Sequence, residues 1–272
     1  MEPPGLLYAV AVMMVFGTIG NDLRAETYGS SGYRNSDPDT VPFFEGTLEL
    51  VSYRVTDDGS HQPHSRISFI VHPDFLILPA DEGSIEILPG AIRAESILLR
   101  HKREDYVFLM SHEKMAVTMS RQELHQMINM FDQMRGKTRT EQADGPDWSV
   151  DRTGRKQIIQ GYECEQWVLQ SHGDKTEWHL WSTDEFVLNW GILADSRLLQ
   201  RTYFSGFPLT DWLDRKQTPV RAEKFMDGEL MEIHQFEQIN STRIGPDRVA
   251  IPANYQIVSF QQMLFDRMRN RQ

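Results

Sequence analysis

The residues able to carry chemistry are scattered along the chain, and their spacing decides which reactions they can support. Arg135-Gly136-Lys137-Thr138 ends like a phosphate-binding loop, but Phe131 stands where the upstream glycine is needed, so no backbone cradle forms. His112-Glu113 opens like a zinc-peptidase helix, yet Ala116 occupies the place of the second histidine ligand. No Gly-x-Ser-x-Gly elbow occurs, and no glycine-rich dinucleotide fingerprint opens a helix. His61 and His64 are the closest pair of potential ligands; no third ligand is spaced to complete a shell, so an exposed polar turn around Gln62-Pro63 is the plainer reading. Cys164 is flanked by Glu163 and Glu165, which oppose a thiolate rather than favour one, and it shares strand parity with Tyr162 and Val168. We read it as an inert core cysteine.

What remains is a set of large apolar side chains that could line a ligand site. Met127 and Phe131 recur at helical spacing, and methionine adapts to irregular ligands. Trp167, Trp178, Trp181 and Trp190 fall within 24 positions of one another; Trp178 and Trp181 have opposite parity on a strand, so at least one faces outward or into a groove. Met127, Phe131, Trp167, Trp178 and Trp181 are therefore the candidate ligand-binding residues. Ordinary core packing is the plainer explanation for most of them. No catalytic residue, metal ligand or cofactor site is expected.

The elements that must position these side chains are mostly strands. Phe44 to Val55 alternates, with a change of parity that predicts a bulge or bend near Leu50. Ile67, Phe69 and Val71 recur with period two, and further strands are expected at Phe75 to Leu78, Ile85 to Leu88, Ile97 to His101, Tyr106 to Met110 and Met115 to Met119. Lys102 to Asp105 and Ser111 to Lys114 read as hairpin turns of an antiparallel meander. Ser120-Arg121-Gln122-Glu123 is a capping box opening an amphipathic helix over about 121 to 135. Gly136 to Arg152 reads as a loop. A second β-rich block follows, with strands at Ile158 to Ile159, Tyr162 to Gln170, Lys175 to Ser182, Val220 to Phe225 and Leu230 to Ile239. Ser182-Thr183-Asp184-Glu185 looks like another capping box, for a helical stretch to about Thr202, and Ile257 to Arg269 like a last amphipathic helix.

The 272 residues carry 28 Lys plus Arg against 39 Asp plus Glu, a net charge of −11, which argues against a nucleic-acid binder. One cysteine cannot form an internal disulfide. Leu6 to Ile19 is apolar but, at about 14 residues, too short to span a bilayer, and reads as the core of a signal peptide covering residues 1 to 25. Residues 26 to 43, rich in Gly, Ser, Asn, Asp and Pro, read as a flexible linker, and 44 to 272 as one β-rich domain with halves 44 to 135 and 153 to 258.

One stretch carries a resemblance. Thr153-Gly154-Arg155-Lys156-Gln157-Ile158-Ile159-Gln160-Gly161-Tyr162-Glu163-Cys164-Glu165-Gln166-Trp167, then Trp178-His179-Leu180-Trp181-Ser182-Thr183, Pro219-Val220-Arg221-Ala222 and Ile251-Pro252-Ala253-Asn254-Tyr255, are similar to a family of secreted bacterial proteins called domain of unknown function 4412. The resemblance implies an α+β fold with a strongly curved antiparallel sheet, a half-barrel like that of the LolA/LolB lipoprotein carriers, with helices packed on the concave face. It also implies a periplasmic or secreted location. The family supplies no agreed catalytic residues. The leading expectation is a non-enzymatic envelope protein that binds an acyl chain or a lipidated protein; the alternatives are a structural or protein-interaction module with a filled core and, third, a cryptic hydrolase. Membrane contact is expected only through the signal segment.

Overall fold

The computed structural model describes residues 43–56, 58–79, 85–88, 92–134, 148–190 and 217–269. The expected signal peptide and linker, and the expected helix beyond Trp190, lie outside the described residues. Val41–Gln272 is one compact unit that contains every element named below.

The chain is mostly β. Its strands are β1 (Gly46–Val55), β2 (His61–His72), β3 (Phe75–Pro79), β4 (Ile85–Leu88), β5 (Ile92–Ala94), β6 (Ser96–Arg100), β7 (Asp105–Met110) and β8 (Met115–Ser120). The helix α1 (Arg121–Met134) follows, then β9 (Trp148–Ile159), β10 (Tyr162–Ser171), β11 (Thr176–Thr183), β12 (Thr218–Met226), β13 (Glu229–Ser241), β14 (Gln256–Ser259) and the helix α2 (Phe260–Arg269). Twelve strands make one sheet in the order β14-β8-β7-β6-β3-β2-β1-β13-β12-β11-β10-β9, and β4 pairs with β5 apart from it. Neighbours are antiparallel except β14, which runs parallel to β8. The two ends of the order do not pair, so the sheet is open and not closed into a barrel.

Two meanders, β2 to β8 and β9 to β13, are joined by β1, which pairs with β2 on one side and β13 on the other. Its period-two apolar residues dictate that place, since Leu48 and Leu50 share one face and both are buried. The expected bulge is present: between Glu49 and Leu50 the register on β13 skips Glu237. At Gly46 the strands approach so closely that an added Cβ would stand 2.1 Å from the Asn240 carbonyl oxygen, so only glycine fits.

One large apolar cluster gathers Leu48, Leu50, Phe69, Val71, Leu76, Leu78, Ile97, Leu99, Tyr106 and Phe108 from the strands. Leu124 and Met127 of α1, and Phe260 and Met263 of α2, complete it. Each such side chain fully withdrawn from water contributes about 1.5–3 kcal/mol. A smaller cluster of Ile77, Leu98, Val107 and Ala116, on the alternate parity of the same strands, is covered by Val249, Ile251 and Tyr255. The expected capping box at α1 is made reciprocally: Glu123 N donates to Ser120 Oγ at 3.2 Å, and Ser120 N to Glu123 Oε2 at 2.8 Å.

Several expectations are corrected. Gln62-Pro63 is no turn: β2 begins at His61, and Pro63 is tolerated because the β1–β2 register slips there, leaving His64 as the extra residue. Trp148 to Arg152 is strand, the start of β9, not loop. Thr183 ends β11 opposite Thr218, and residues 184–190 are not helical. The last helix starts at Phe260, after the short strand β14.

Candidate functional site

The four candidate residues whose side chains are described do not converge on one spot. Met127, 5% exposed, belongs to the large cluster with Leu124. Phe131 lies in α1, but its side chain is outside the described set. Trp167 faces Leu180 and Trp178 faces Leu169 across the β10–β11 ladder, so these four share a face and pack with Ala222, Trp148 and Val150. Trp178 is wholly buried, with the Lys224 ammonium 5.7 Å from its ring centroid, while Arg152 lies 5.7 Å from that of Trp167. Trp181 has the opposite parity, pairs across with Gln166 and Arg221, is only partly buried, and packs beside Cys164 and Val220. Strand parity thus separates Trp178 from Trp181, as a period of two requires.

The segment after β11 fills the space that a ligand would take. Phe186, Leu188 and Trp190 are buried in the large cluster. The Phe186 ring packs between Phe44 at 5.1 Å and Tyr162 at 5.0 Å. The Thr218 hydroxyl fixes the segment twice, donating to the Phe186 carbonyl at 3.0 Å and accepting from the Leu188 amide at 3.2 Å. Phe44 N donates to the Val187 carbonyl at 2.8 Å, and Asn189 Nδ2 to the Pro73 carbonyl at 2.7 Å. The cleft between this segment and the sheet, lined by Leu48, Phe69, Val71, Leu76, Leu188 and Trp190 with Asn189 beside them, is closed and leaves no water-sized space. The Asn189 amide oxygen has no hydrogen-bond partner, and neither has either ring nitrogen of His101. Burial pushes the His101 imidazole down to about 4.

Local pattern gave no hint of the polar contacts inside the sheet. Ser52 Oγ lies 2.7 Å from His234 Nδ1, and His234 Nε2 lies 3.5 Å from Glu232 Oε2. The ring of Trp178 stands 5.6 Å from that of His234. The hydrogen bond from His234 holds the Glu232 carboxyl below its usual range, against a burial that works the other way. Hydroxyl, imidazole and carboxylate here resemble the parts of a nucleophilic site, but the arrangement is not one. Ser52 is 2% exposed, and its strand is paired on both sides, so nearby amides serve the ladder rather than an oxyanion. Ser52 and His234 are 182 residues apart in sequence, which is why no motif could announce them.

Cys164 is inert for a reason other than its acidic neighbours in sequence. Burial pushes its thiol up to about 11, and Sγ reaches the Tyr162 carbonyl at 3.6 Å. The Glu163 and Glu165 side chains are instead taken by Lys156 at 2.6 Å and Arg152 at 2.5 Å. Among the described residues no three His, Cys, Asp or Glu gather where they could hold a metal ion, and no helix is long and apolar enough to cross a membrane.

Comparison with known proteins gives a family and no activity. No curated protein matches the chain. Two solved structures of PNGF-II, in the C2 and P21 space groups, align over 80% and 81% of this chain at 12% identity, with TM-scores of 0.38 and 0.36. The chain spans about a third of the length of either, at 32% and 33%. A family model matches residues 87–255, more than half of the sequence, and takes in β5 to β13, which include the whole second meander, the first meander from β6 onward and the segment after β11. On that match the chain belongs to the domain of unknown function family DUF4412.

Proposed function

We propose that this is an exported envelope protein that acts by binding rather than by catalysis, and that its sheet is a self-filled scaffold working through its surface. One observation carries the reading. The apolar face that a carrier would offer to a lipid is occupied by Phe186, Leu188 and Trp190, and no water-sized space is left in the cleft between them and the sheet, where ordinary ligand sites hold roughly 300–1,000 Å³.

A second reading has its own support. The cleft is lined almost wholly by apolar side chains, and withdrawal of residues 186–190 would expose a hydrophobic trough suited to an acyl chain. In that reading the sheet is curved as in the LolA/LolB carriers, with α1 and α2 on its concave face.

A single preparation separates the two. Full-length protein expressed in a Gram-negative host and recovered from the periplasmic fraction, with a mature N-terminus near residue 21 or 26, would support export. After delipidation, native mass spectrometry should show bare protein, and a fluorescent fatty acid should show no saturable uptake. Stoichiometric uptake by the unaltered protein would overturn the filled-scaffold reading in favour of a carrier.

A further inference from the structure

The β2–β3 turn, Pro73-Asp74, is where the segment that fills the cleft meets the first meander. Asn189 Nδ2 donates to the Pro73 carbonyl at 2.7 Å, and the next carbonyl, that of Asp74, accepts from the His101 amide at 3.0 Å. The Asp74 amide donates to His72 Nδ1 at 3.1 Å, and the Asp74 carboxylate is taken by Lys102 at 2.8 Å. His101 opens the short helical turn between β6 and β7, and its ring lies against the backbone of Asn189. Three buried polar atoms of these two residues have no hydrogen-bond partner: both ring nitrogens of His101 and the amide oxygen of Asn189.

The two ends of the segment are thus held differently. Phe186, Val187 and Leu188 are tied down by bonds to Thr218 and Phe44, whereas Asn189 makes one bond, to Pro73, beside a ring whose polar atoms are unsatisfied. A neutral imidazole is tolerated in such a place; an imidazolium is not, because it needs water or an anion. Residues 186–190 carry no ionisable side chain. The ionisable groups that face the ring are Asp74, whose carboxylate is committed to Lys102, and His72, which on protonation adds a second positive charge. Burial, aided by His72, outweighs Asp74 and the Asn189 backbone and pushes the imidazole from 6.5 down to about 4.

We propose that residues 186–190 form an acid-released strap: protonation of His101 favours withdrawal of Asn189 from the β2–β3 turn, and with it the uncovering of the apolar trough beneath Leu188 and Trp190. The proposal rests on the reading in which this segment can leave the sheet, and names what controls it. Withdrawal returns the ring to water, where it takes up a proton near 6.5, so the open form binds that proton more tightly than the closed one. Between 6.5 and about 4 the open form therefore gains up to about tenfold in population for each pH unit of acidification. While the open form is the minor one, a ligand of the trough tightens in the same proportion. At neutral pH the strap is shut and the molecule is the filled scaffold.

The test is titration of the full chain with phenylnaphthylamine, an uncharged apolar fluorophore, from about pH 7 to about pH 4.5, with near-ultraviolet circular dichroism recorded on the same samples. Saturable uptake is expected, with an apparent Kd that falls at least about tenfold over that range, recovers on return to neutral pH and leaves the near-ultraviolet spectrum intact. His101→Leu and His101→Gln, neutral at every pH, should abolish the pH dependence, and Thr218→Val, which removes the anchor at the other end, should tighten binding already at neutral pH. Uptake that accompanies loss of the near-ultraviolet signal, or that is as pH-dependent in both His101 variants as in the parent, would overturn the proposal. So would a parent that stays empty at acid pH while Thr218→Val takes up the dye; the segment would then leave the sheet without His101 controlling it. An empty cleft in every protein at every pH would sink the withdrawal reading itself, and the proposal with it.

Discussion

At the scale of single residues, the most consequential group is His101. Its ring nitrogens are unpartnered and burial pushes its pKa from 6.5 to about 4. An unfolded chain takes up a proton near the ordinary value, the folded one only near the lowered value, so between them the unfolded state binds more protons. Stability should therefore fall as the solution is acidified from pH 6.5 toward pH 4, by an amount on the order of 3 kcal/mol. Urea unfolding of His101→Leu across that range should show a flatter decline, and higher stability at neutral pH because an unsatisfied polar group is gone. An equally steep decline in the variant would assign the acid sensitivity to other groups. None of this was legible in the sequence, where His101 stood only at the end of an expected strand. Its ring is buried near the Asp74 carboxylate and the backbone of Asn189, groups distant in the chain.

Elements were legible where their signals are local. Ile67, Phe69 and Val71 announce a half-buried strand because the alternation is in the sequence itself, and the Ser120 capping box closes within four residues. The second apparent capping box failed because ladder pairing of Thr183 with Thr218 competes with helix initiation and wins. The opening of β9 was missed for a different reason: an edge strand with mostly exposed side chains needs no apolar alternation. The loss of that second helix is what leaves residues 186–190 extended over the sheet. Thr218 is their anchor, so Thr218→Val should leave the Leu188 amide and Phe186 carbonyl unpaired and cost about 1–3 kcal/mol. Chemical denaturation measures this; a change within error would show that apolar contacts alone hold the segment. If fatty-acid uptake appeared in this variant and not in the parent, the cleft would be a site closed by its own chain.

On the scale of the whole molecule, an open twelve-stranded sheet must protect its ends. β14 is only four residues long, but β9 is twelve and pairs with β10 alone among the described strands. Gly154, at φ 73°, sits where the β9–β10 register shifts, and Arg155 and Lys156 are exposed beside it. Bulge and charge are the devices that keep a free edge from pairing with another chain. Replacing Arg155 and Lys156 together with Val should promote self-association, visible as a faster-sedimenting species whose share rises with concentration. A strictly monomeric double variant would show that the bulge suffices.

The junction at β1 also sets the order in which the molecule is completed. β1 emerges first, yet one of its two neighbours is β13, and Ser52 meets His234 only after a further 182 residues. Until then half of the sheet presents a raw edge, and closing so long a loop is slow because its entropy must be spent before the pairing is won. On the proposed export route, a chain built this way could not finish folding while still being threaded across a membrane; it would gain its final form only once β13 arrived.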